Sequence, residues 1–207
     1  MVLSLFLGCS KHTPEVDFWR WFQENESMLF DFERDQERTF DQLRTALKKV
    51  HPDLTFEFGP KQDGKREFVI SADGLKSAFP AVESLYAVAP TLGRWSFMKF
   101  RQRRRPLYDI DYGNKIIKVA DVHFRLAKDE NPNKVGILIF MAGYNEMEKK
   151  VYDHIAYLML DEALGEYDVE TRVGFIEIQG HDSKYFPGSL PLDELGPRFD
   201  EVMKDKK

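Results

Sequence analysis

The sequence predicts an α+β domain in which two ββαβ units form one mostly antiparallel sheet with helices packed on one face. The order strand, strand, helix, strand occurs twice, at about residues 54–100 and at about residues 121–178. In each half the helix is followed by Leu-Gly and then by a strand, at Leu92-Gly93 and at Leu164-Gly165. Repetition of one supersecondary unit is typical of a duplicated fold. A long N-terminal helix is predicted to precede the first unit.

That N-terminal helix is predicted from an aromatic cluster and an amphipathic pattern. The stretch DFWRWF places four aromatic residues within 17–22. Asn25 is a suitable N-cap for a helix that runs to about Val50, because apolar residues recur there at steps of three and four. Pro52 follows closely and would end the helix.

The first unit begins with two stretches in which apolar and polar residues alternate with a period of two, as in half-buried strands. Their apolar members are Leu54, Phe56, Phe58, Phe68, Ile70 and Ala72. Asp63-Gly64 lies between the two stretches and predicts a tight hairpin turn. The following helix has Pro80 in its first turn and ends before Pro90.

The second unit contains one alternating strand and one continuously apolar strand. Residues 122–126 alternate, whereas VGILIFMA at 135–142 is apolar throughout, which indicates either a central strand or part of a dimer interface. Asn145 and Glu148 resemble a capping box, and Gly165 ends the helix. A short amphipathic helix is predicted around Leu192–Met203.

The sequence contains no low-complexity segment and no clear linker that would separate two domains. We expect an N-terminal tail at residues 1–16 and a single α+β domain at residues 17–207. The composition is globular, since 43% of the 207 residues are hydrophobic and 17 are Phe. The formal net charge of −5 argues against a protein that covers nucleic acid or an anionic membrane with its whole surface.

The N-terminal stretch MVLSLFLGCS resembles the end of a bacterial lipoprotein signal, in which the Cys after a small residue becomes lipidated. Cys9 is therefore a candidate lipidation site, and membrane anchoring would depend on it. No Lys or Arg precedes the apolar run, and the run is short for a secretory signal. As written the chain predicts a cytoplasmic protein, whereas a start upstream of Met1 would predict an anchored lipoprotein.

Over roughly residues 17–200, the chain resembles a family of uncharacterised bacterial proteins. Three segments carry the resemblance: FWRWFQEN, REFVISADG and LDEALGEYDVETRVGFIEI. That family has no assigned activity, so the resemblance implies a bacterial domain and no catalytic residue. The ββαβ arrangement also resembles ferredoxin-like regulatory domains that bind partner proteins.

A cluster of carboxylates marks the end of the second predicted helix and the turn after it. Paired carboxylates can perform acid–base chemistry or hold a hard cation. Candidate catalytic residues in this cluster are Asp161, Glu162, Glu166 and Asp168. Tyr157 and His154 precede Asp161 by one and two helical turns, so all three can share a face. The alternative is a solvated turn whose acids pair with Arg172 or with the basic run.

The basic run Arg101, Arg103, Arg104 and Arg105 is a candidate phosphate-binding segment. Phe100 and Tyr108 flank it and are able to stack on bases, which would suit single-stranded RNA. No nucleic-acid motif accompanies the run, and the alternative is that its arginines pair with nearby acids. Nucleic acid is therefore the weaker prediction for a partner.

His181 is a further catalytic candidate, in a loop after the last strand, where a loop hydrogen bond is the alternative. His123 is expected on the exposed face of its strand. Trp19 and Trp21 are candidates for a protein-binding surface, since Trp is common in binding hot spots, although burial in the core is the alternative.

No cofactor or metal is predicted. The sequence has no Gly-x-Gly-x-x-Gly stretch, no phosphate-binding loop, no Gly-x-Ser-x-Gly elbow and no zinc-type histidine pair. The single Cys excludes an intramolecular disulfide. We therefore expect a non-enzymatic bacterial protein-interaction or regulatory module. One alternative is a hydrolase-type enzyme that uses the carboxylates near Asp161–Asp168 with His154 or His181 as a catalytic residue. The other is RNA binding through Arg101–Arg105.

Overall fold

The computed structural model describes residues 12–204, so the predicted lipidation site Cys9 lies outside the described residues. The described chain divides into two compact units. Unit 1 consists of residues 12–72 and 77–97, and unit 2 consists of residues 73–76 and 98–204. Both units contain helices and strands, which confirms the α+β class. The single domain boundary at 17–207 stays a prediction.

Unit 1 combines four helices with a three-stranded sheet of order β1-β2-β3. Its elements are α1 (Pro14–Glu24), α2 (Glu26–Phe30), α3 (Gln36–Lys48), β1 (Thr55–Phe58), β2 (Arg66–Ser71), α4 (Phe79–Ala87) and the first three residues of β3 (Trp95–Lys99), which continues into unit 2. The predicted hairpin is confirmed, because β1 and β2 pair antiparallel and Asp63 and Gly64 both have positive φ angles between them.

The prediction of one helix from Asn25 to about Val50 is wrong. The chain instead forms α2, a 3-10 helix at Phe32–Arg34 and then α3. Asp31 and Asp35 stand at the two interruptions with non-helical backbone angles. Asp is a poor residue for a helix interior because its side chain competes for backbone hydrogen bonds. The apolar periodicity continues across both breaks, and for this reason it suggested an unbroken helix.

Aromatic rings form the core of unit 1. The ring centroids of Phe22 and Trp95 lie 4.9 Å apart, and those of Phe22 and Phe68 lie 5.1 Å apart. Trp19 is buried and its Nε1 donates to the carbonyl of Leu85 at 2.8 Å. Trp19 therefore belongs to the core, while Trp21 is only half-buried.

Arg66 is an unusual member of this core, since its side chain is 1% exposed. Its guanidinium lies 4.3 Å from the ring centroid of Phe32 and donates through Nη2 to Glu33. Nε and Nη1 have no hydrogen-bond partner within the described residues. The aromatic contact and the single carboxylate partner are therefore what offset the cost of burying this charge.

Unit 2 contains a two-stranded hairpin, a four-stranded sheet and three helices. Its elements are β4 (Ile110–Tyr112), β5 (Lys115–Ile117), β6 (Val122–Lys128), β7 (Val135–Met141), α5 (Lys149–Leu164), α6 (Glu166–Arg172), β8 (Val173–Gln179), β9 (Leu190–Pro191) and α7 (Leu195–Lys204). No strand was predicted at the position of the β4–β5 hairpin, and Gly113 and Asn114 form its turn with positive φ angles.

The prediction of a single sheet is wrong, although four strand pairs are antiparallel, in line with the other part of that prediction. The strands belong to separate sheets, and the larger sheet has the order β8-β7-β6-β9 with a parallel β7–β8 pair. The continuously apolar β7 is confirmed as a central strand, flanked by β6 and β8.

One face of this sheet carries the core of unit 2. Phe124 of β6, Ile139 of β7, Leu160 of α5 and Phe199 of α7 are among its buried members. On the opposite face, the ring of Phe186 lies 5.7 Å from that of Phe140. The loop between β8 and β9 therefore covers part of the second face.

Candidate functional site

The acidic segment lies on two helices and not in a solvated turn. Gly165 ends α5 with a φ of +82°, which favours glycine, and α6 begins at the next residue. Asp161 and Glu162 stand near the end of α5, whereas Glu166 and Asp168 stand in the first turn of α6. The dipole of a helix stabilises acids in its first turn. No pattern in the sequence indicated this second helix.

Glu166 ties two loops to α6. Its side chain is fully buried, and its carboxylate accepts hydrogen bonds from the backbone N–H of Gly74 at 3.2 Å and of Arg101 at 3.1 Å. The N–H of Glu166 donates in turn to the carbonyl of Arg101 at 3.0 Å. Phe100 has a φ of +60°, a left-handed conformation that costs roughly 1–2 kcal/mol for a residue with a side chain. The two bonds of Arg101 help to hold that conformation.

Asp161 has an altered proton affinity. Its side chain is 15% exposed and lies 3.5 Å from Nη1 of Arg101, whose Nη2 lies 2.8 Å from Asp73. Burial raises the pKa of Asp161 to about 7, against a lowering effect of Arg101 and with further increases from Glu166 and Glu170. This carboxyl group can therefore exchange a proton near neutral pH, as a general acid or base must.

The predicted companions of Asp161 have different neighbours. His154 stacks on Tyr112 of β4 with ring centroids 4.2 Å apart. Tyr157 is 47% exposed, and its pKa is raised by burial and by the charge of Glu170. Burial also raises the pKa of Glu170. The electrostatic neighbourhood of Asp161 therefore includes Glu170, while the ring of His154 is engaged with the β4–β5 hairpin.

The basic run is engaged with acids. Arg103 donates to Asp168 at 2.7 Å and to both carboxylate oxygens of Asp200 at 2.8 and 2.9 Å. Its Nε donates to the carbonyl of Leu164 at 2.7 Å. Arg172 lies 3.3 Å from Asp168. The pairing alternative that the sequence left open is thus present, and Arg103 acts as a cross-link between α6 and α7.

The rest of the run follows α5. The backbone N–H of Arg104 donates to the carbonyl of Glu162 at 2.8 Å, and Oε2 of Glu162 accepts from the N–H of Tyr108 at 3.1 Å. Nη2 of Arg105 lies next to Gly196 of α7. These contacts fix the course of the segment along α5 and α7.

Two histidines meet on the covered face of the sheet. His181 stacks on Phe186 with centroids 4.3 Å apart, and its Nε2 lies 3.0 Å from the carbonyl oxygen of Asp121. The predicted loop contact of His181 is therefore present. The expectation that His123 is exposed is wrong, because the loop of Phe186 covers it. Burial, followed by the charge of His181, lowers the pKa of His123.

A feature that the sequence did not indicate is the half-open edge of β6. The strand pairs along all seven residues with β7, whereas β9 pairs with it only at His123 and Phe124. Gly188, with a φ of +81°, lies in the turn that precedes β9, which the N–H of Ser189 closes by donating to the carbonyl of Phe186 at 2.9 Å. Residues 125–128 therefore have no strand beside them on that edge among the described residues.

The backbone groups that face this edge follow from the pairing. Pro191 has no N–H, so the hydrogen-bonded pair between β6 and β9 is Phe124 with Leu190 and not His123 with Pro191. Backbone direction alternates with a period of two along a strand. The N–H and C=O groups of Leu126 therefore point to the open edge, and those of Lys128 do the same.

A groove runs between this edge and α7. Its cavity of about 230 Å³ is lined by Phe124, Arg125, Leu126, Gly188, Leu190, Arg198, Glu201 and Val202. The apolar members lie at the margin of the core of unit 2, and three charged residues form the rim. Leu126, Leu190 and Val202 are only half-buried, so their apolar surface is accessible from the groove.

The sequence predicted both walls of this groove but not the groove. Residues 122–126 were expected as a strand and residues around Leu192–Met203 as an amphipathic helix. Their proximity depends on β9, a two-residue strand without a propensity signal of its own. The turn at Gly188 is a local signal, but it does not reveal which strand the chain leaves open.

No protein-family profile, curated protein or solved structure matches this chain. Residues 12–204 contain no group of three or more His, Cys, Asp or Glu side chains placed to hold a metal ion. Within the same residues, no helix has the length and apolar character needed to cross a membrane. The resemblance to uncharacterised bacterial proteins stays a prediction.

Proposed function

We propose that the protein is a non-enzymatic interaction module that binds an extended segment of a partner protein by strand addition to β6. The proposal depends on the open edge of β6 beside an apolar groove. In strand addition, backbone hydrogen bonds supply affinity and pockets for alternate side chains supply selectivity. The outward N–H and C=O groups of Leu126 and Lys128 would supply the backbone hydrogen bonds. The cavity next to Leu126 would supply the side-chain pocket.

The open part of β6 sets the length of the partner segment. Residues 125–128 extend over about 13 Å at roughly 3.4 Å per residue, which is room for about four residues of an added strand. Four residues fall within the usual range of short strands. Leu190 and Pro191 of β9 would stand at one end of the added segment and so limit its register.

Selection from a display library of random peptides, with the full chain as bait, tests this proposal. Val202→Arg would fill the groove from α7, and Val88→Arg places the same change at an exposed position of unit 1. We expect the selected peptides to bind the wild type and Val88→Arg equally and to bind Val202→Arg at least about tenfold more weakly. Equal thermal denaturation temperatures would show that both variants fold.

Amide exchange of the wild-type chain gives a readout that does not depend on a variant. A bound peptide should slow exchange at Leu126 and Lys128, but not at Arg125 and Ala127, whose N–H groups face β7. N-methylation of the peptide bonds whose N–H groups face β6 should abolish binding. N-methylation of the intervening peptide bonds, whose N–H groups face away from β6, should leave binding unchanged. The proposal is wrong if no peptide is selected, if protection falls elsewhere, or if the chain pairs with a second copy of itself at β6.

Hydrolase-type activity at Asp161 is the second candidate, favoured by a pKa of about 7 beside the guanidinium of Arg101. Chromogenic phosphate and carboxyl esters are suitable substrates for a first test. Turnover that is lost in Asp161→Asn but retained in Asp153→Asn, a change on the same helix, would support it. The absence of turnover by the wild-type chain with all of these esters would count against it.

We also infer that the two units share a duplicated ββαβ arrangement. In each, two antiparallel strands are followed by helical structure, α4 in unit 1 and α5 with α6 in unit 2, and then by a third strand that lies beside the second. The third strand of unit 2 is parallel to the second. An experimental structure in which β3 runs antiparallel to β2 would contradict the duplication.

A further inference from the structure

The groove beside β6 also indicates which partner segments it would accept, and this inference rests on the proposed function. We infer that the segment carries an apolar residue directly next to an acidic one. The apolar side chain would enter the cavity, and the carboxylate would bind Arg125.

The cavity fits a single apolar side chain. Its volume of about 230 Å³ is below the roughly 300–1,000 Å³ of pockets that bind small molecules. Phe124, Leu126, Leu190 and Val202 supply its apolar lining. Filling it with an aliphatic or aromatic side chain would remove their exposed surface from water, which is the main source of binding free energy at such anchors.

The rim has one cation that is not paired with an acid. Arg198 lies 3.4 Å from Glu194 and 3.5 Å from Glu201, so its charge is balanced on α7. Arg125 contacts only the carbonyl oxygens of Tyr185 and Pro187, at 3.3 and 3.4 Å, and has no carboxylate partner in the described part of the chain. A carboxylate is the group that a guanidinium binds most strongly, often through two parallel hydrogen bonds.

The alternation of the strand sets the spacing of the two groups. Leu126 points to the core face, on which α7 lies, while Arg125 points to the opposite face. In an added strand, the residue opposite Leu126 and the residue opposite Arg125 are neighbours in sequence. The apolar and the acidic residue must therefore be adjacent, and an acid two positions away from the anchor would point to the wrong face.

Synthetic variants of a selected peptide test this inference against the full chain. Replacing the acid by its amide should weaken binding by roughly 5- to 50-fold, the range for a hydrogen bond to a charged group. Moving the acid two positions away from the anchor should weaken binding equally. Arg125→Glu should weaken the acidic peptide and strengthen a peptide with Lys at that position, whereas Lys150→Glu, an exposed change on α5, should do neither.

The outcomes separate this inference from the proposed function. Peptides that are sensitive to Val202→Arg but indifferent to Arg125→Glu and to loss of the acid would overturn the inference and leave strand addition at β6 intact. Peptides that need the acid but are indifferent to Val202→Arg would overturn both. Reversal of the charge preference by Arg125→Glu, together with sensitivity to Val202→Arg, would establish both.

Discussion

Two aspartates of unit 2 have an arginine partner, yet their pKa values are shifted in opposite directions. Asp200 accepts two hydrogen bonds from Arg103 and remains 46% exposed, and this pairing lowers its pKa. Asp161 is 15% exposed and lies 3.5 Å from one nitrogen of Arg101, so burial outweighs the attraction. Close two-point contact at the surface favours the carboxylate, whereas a single long contact in a buried place does not.

The raised pKa of Asp161 makes part of the folding stability depend on pH. The folded chain holds this proton more tightly than the unfolded chain, so the contribution of Asp161 to the free energy of unfolding falls as pH rises from about 4 to about 7. A shift of this size corresponds to at most roughly 4 kcal/mol, and water relaxation around a partly exposed group reduces the expected value to about 2 kcal/mol. Asp161→Asn should lose this decline, as measured by urea unfolding between about pH 4.5 and pH 7.5.

Asp153→Asn is the matched control for that measurement, since Asp153 lies on the same helix and is 37% exposed. Its unfolding free energy should follow that of the wild type over the whole range. If Asp161→Asn shows the same decline as the wild type, the carboxyl group of Asp161 is not protonated in the folded chain at neutral pH.

Among the elements, α6 fixes two loops through Glu166. Replacing this residue by Ala would remove the carboxylate that accepts from two backbone N–H groups, those of Gly74 and Arg101. Each unpaired buried donor costs about 1–3 kcal/mol, so we expect Glu166→Ala to lower the free energy of unfolding by about 2–4 kcal/mol. Glu166→Gln keeps an acceptor oxygen and should cost less.

Urea unfolding measures this difference, and amide exchange at Gly74 and Arg101 shows where it arises. Both amides should exchange faster in Glu166→Ala than in the wild type, while amides of β7 keep their protection. A loss below about 0.5 kcal/mol, the size of an ordinary surface change, would mean that water replaces the carboxylate without cost.

Local signals predicted the elements that depend on a few neighbouring residues. Asp63-Gly64 indicated the first hairpin, and the apolar run at 135–142 indicated a central strand. The helix break at Asp31 and the second helix at Glu166 were missed, because periodicity reports which face is apolar and not where the backbone is interrupted. The hydrogen bond from Arg103 to Asp200 joins two residues that are 97 positions apart in the sequence, and no local pattern predicts such a contact.

The groove beside β6 could not be predicted from the sequence, because it too depends on contacts between residues that are far apart in the chain. Its walls come from β6 and α7, and its opening depends on where Gly188 turns the chain. Long-range pairing decides which strand edge is covered, whereas a strand pattern is the same in either case. The sequence around Arg125 likewise does not distinguish it from other surface arginines. Its role in the proposal depends on the fact that, among the described residues, no carboxylate pairs with it.

At the scale of the whole molecule, the chain passes from one unit to the other and back within a few residues. Residues 73–76 belong to unit 2, although they stand between β2 and α4 of unit 1. Asp73 and Gly74 are held by Arg101 and Glu166. If unit 2 unfolded, residues 73–76 would lose these partners. Folding of unit 1 would then have to close a free connection between β2 and α4, at a larger cost in conformational entropy.

We therefore expect the wild-type chain to unfold in a single calorimetric transition with a ratio of calorimetric to van't Hoff enthalpy near about one. Glu166→Ala weakens the hold on residues 73–76, so its transition should broaden or divide in two. Glu201→Ala, an exposed change on α7, should leave the wild-type shape unchanged. Two transitions in the wild type would show that the units unfold independently. The contacts of residues 73–76 with unit 2 would then be too weak to make unfolding of the two units cooperative.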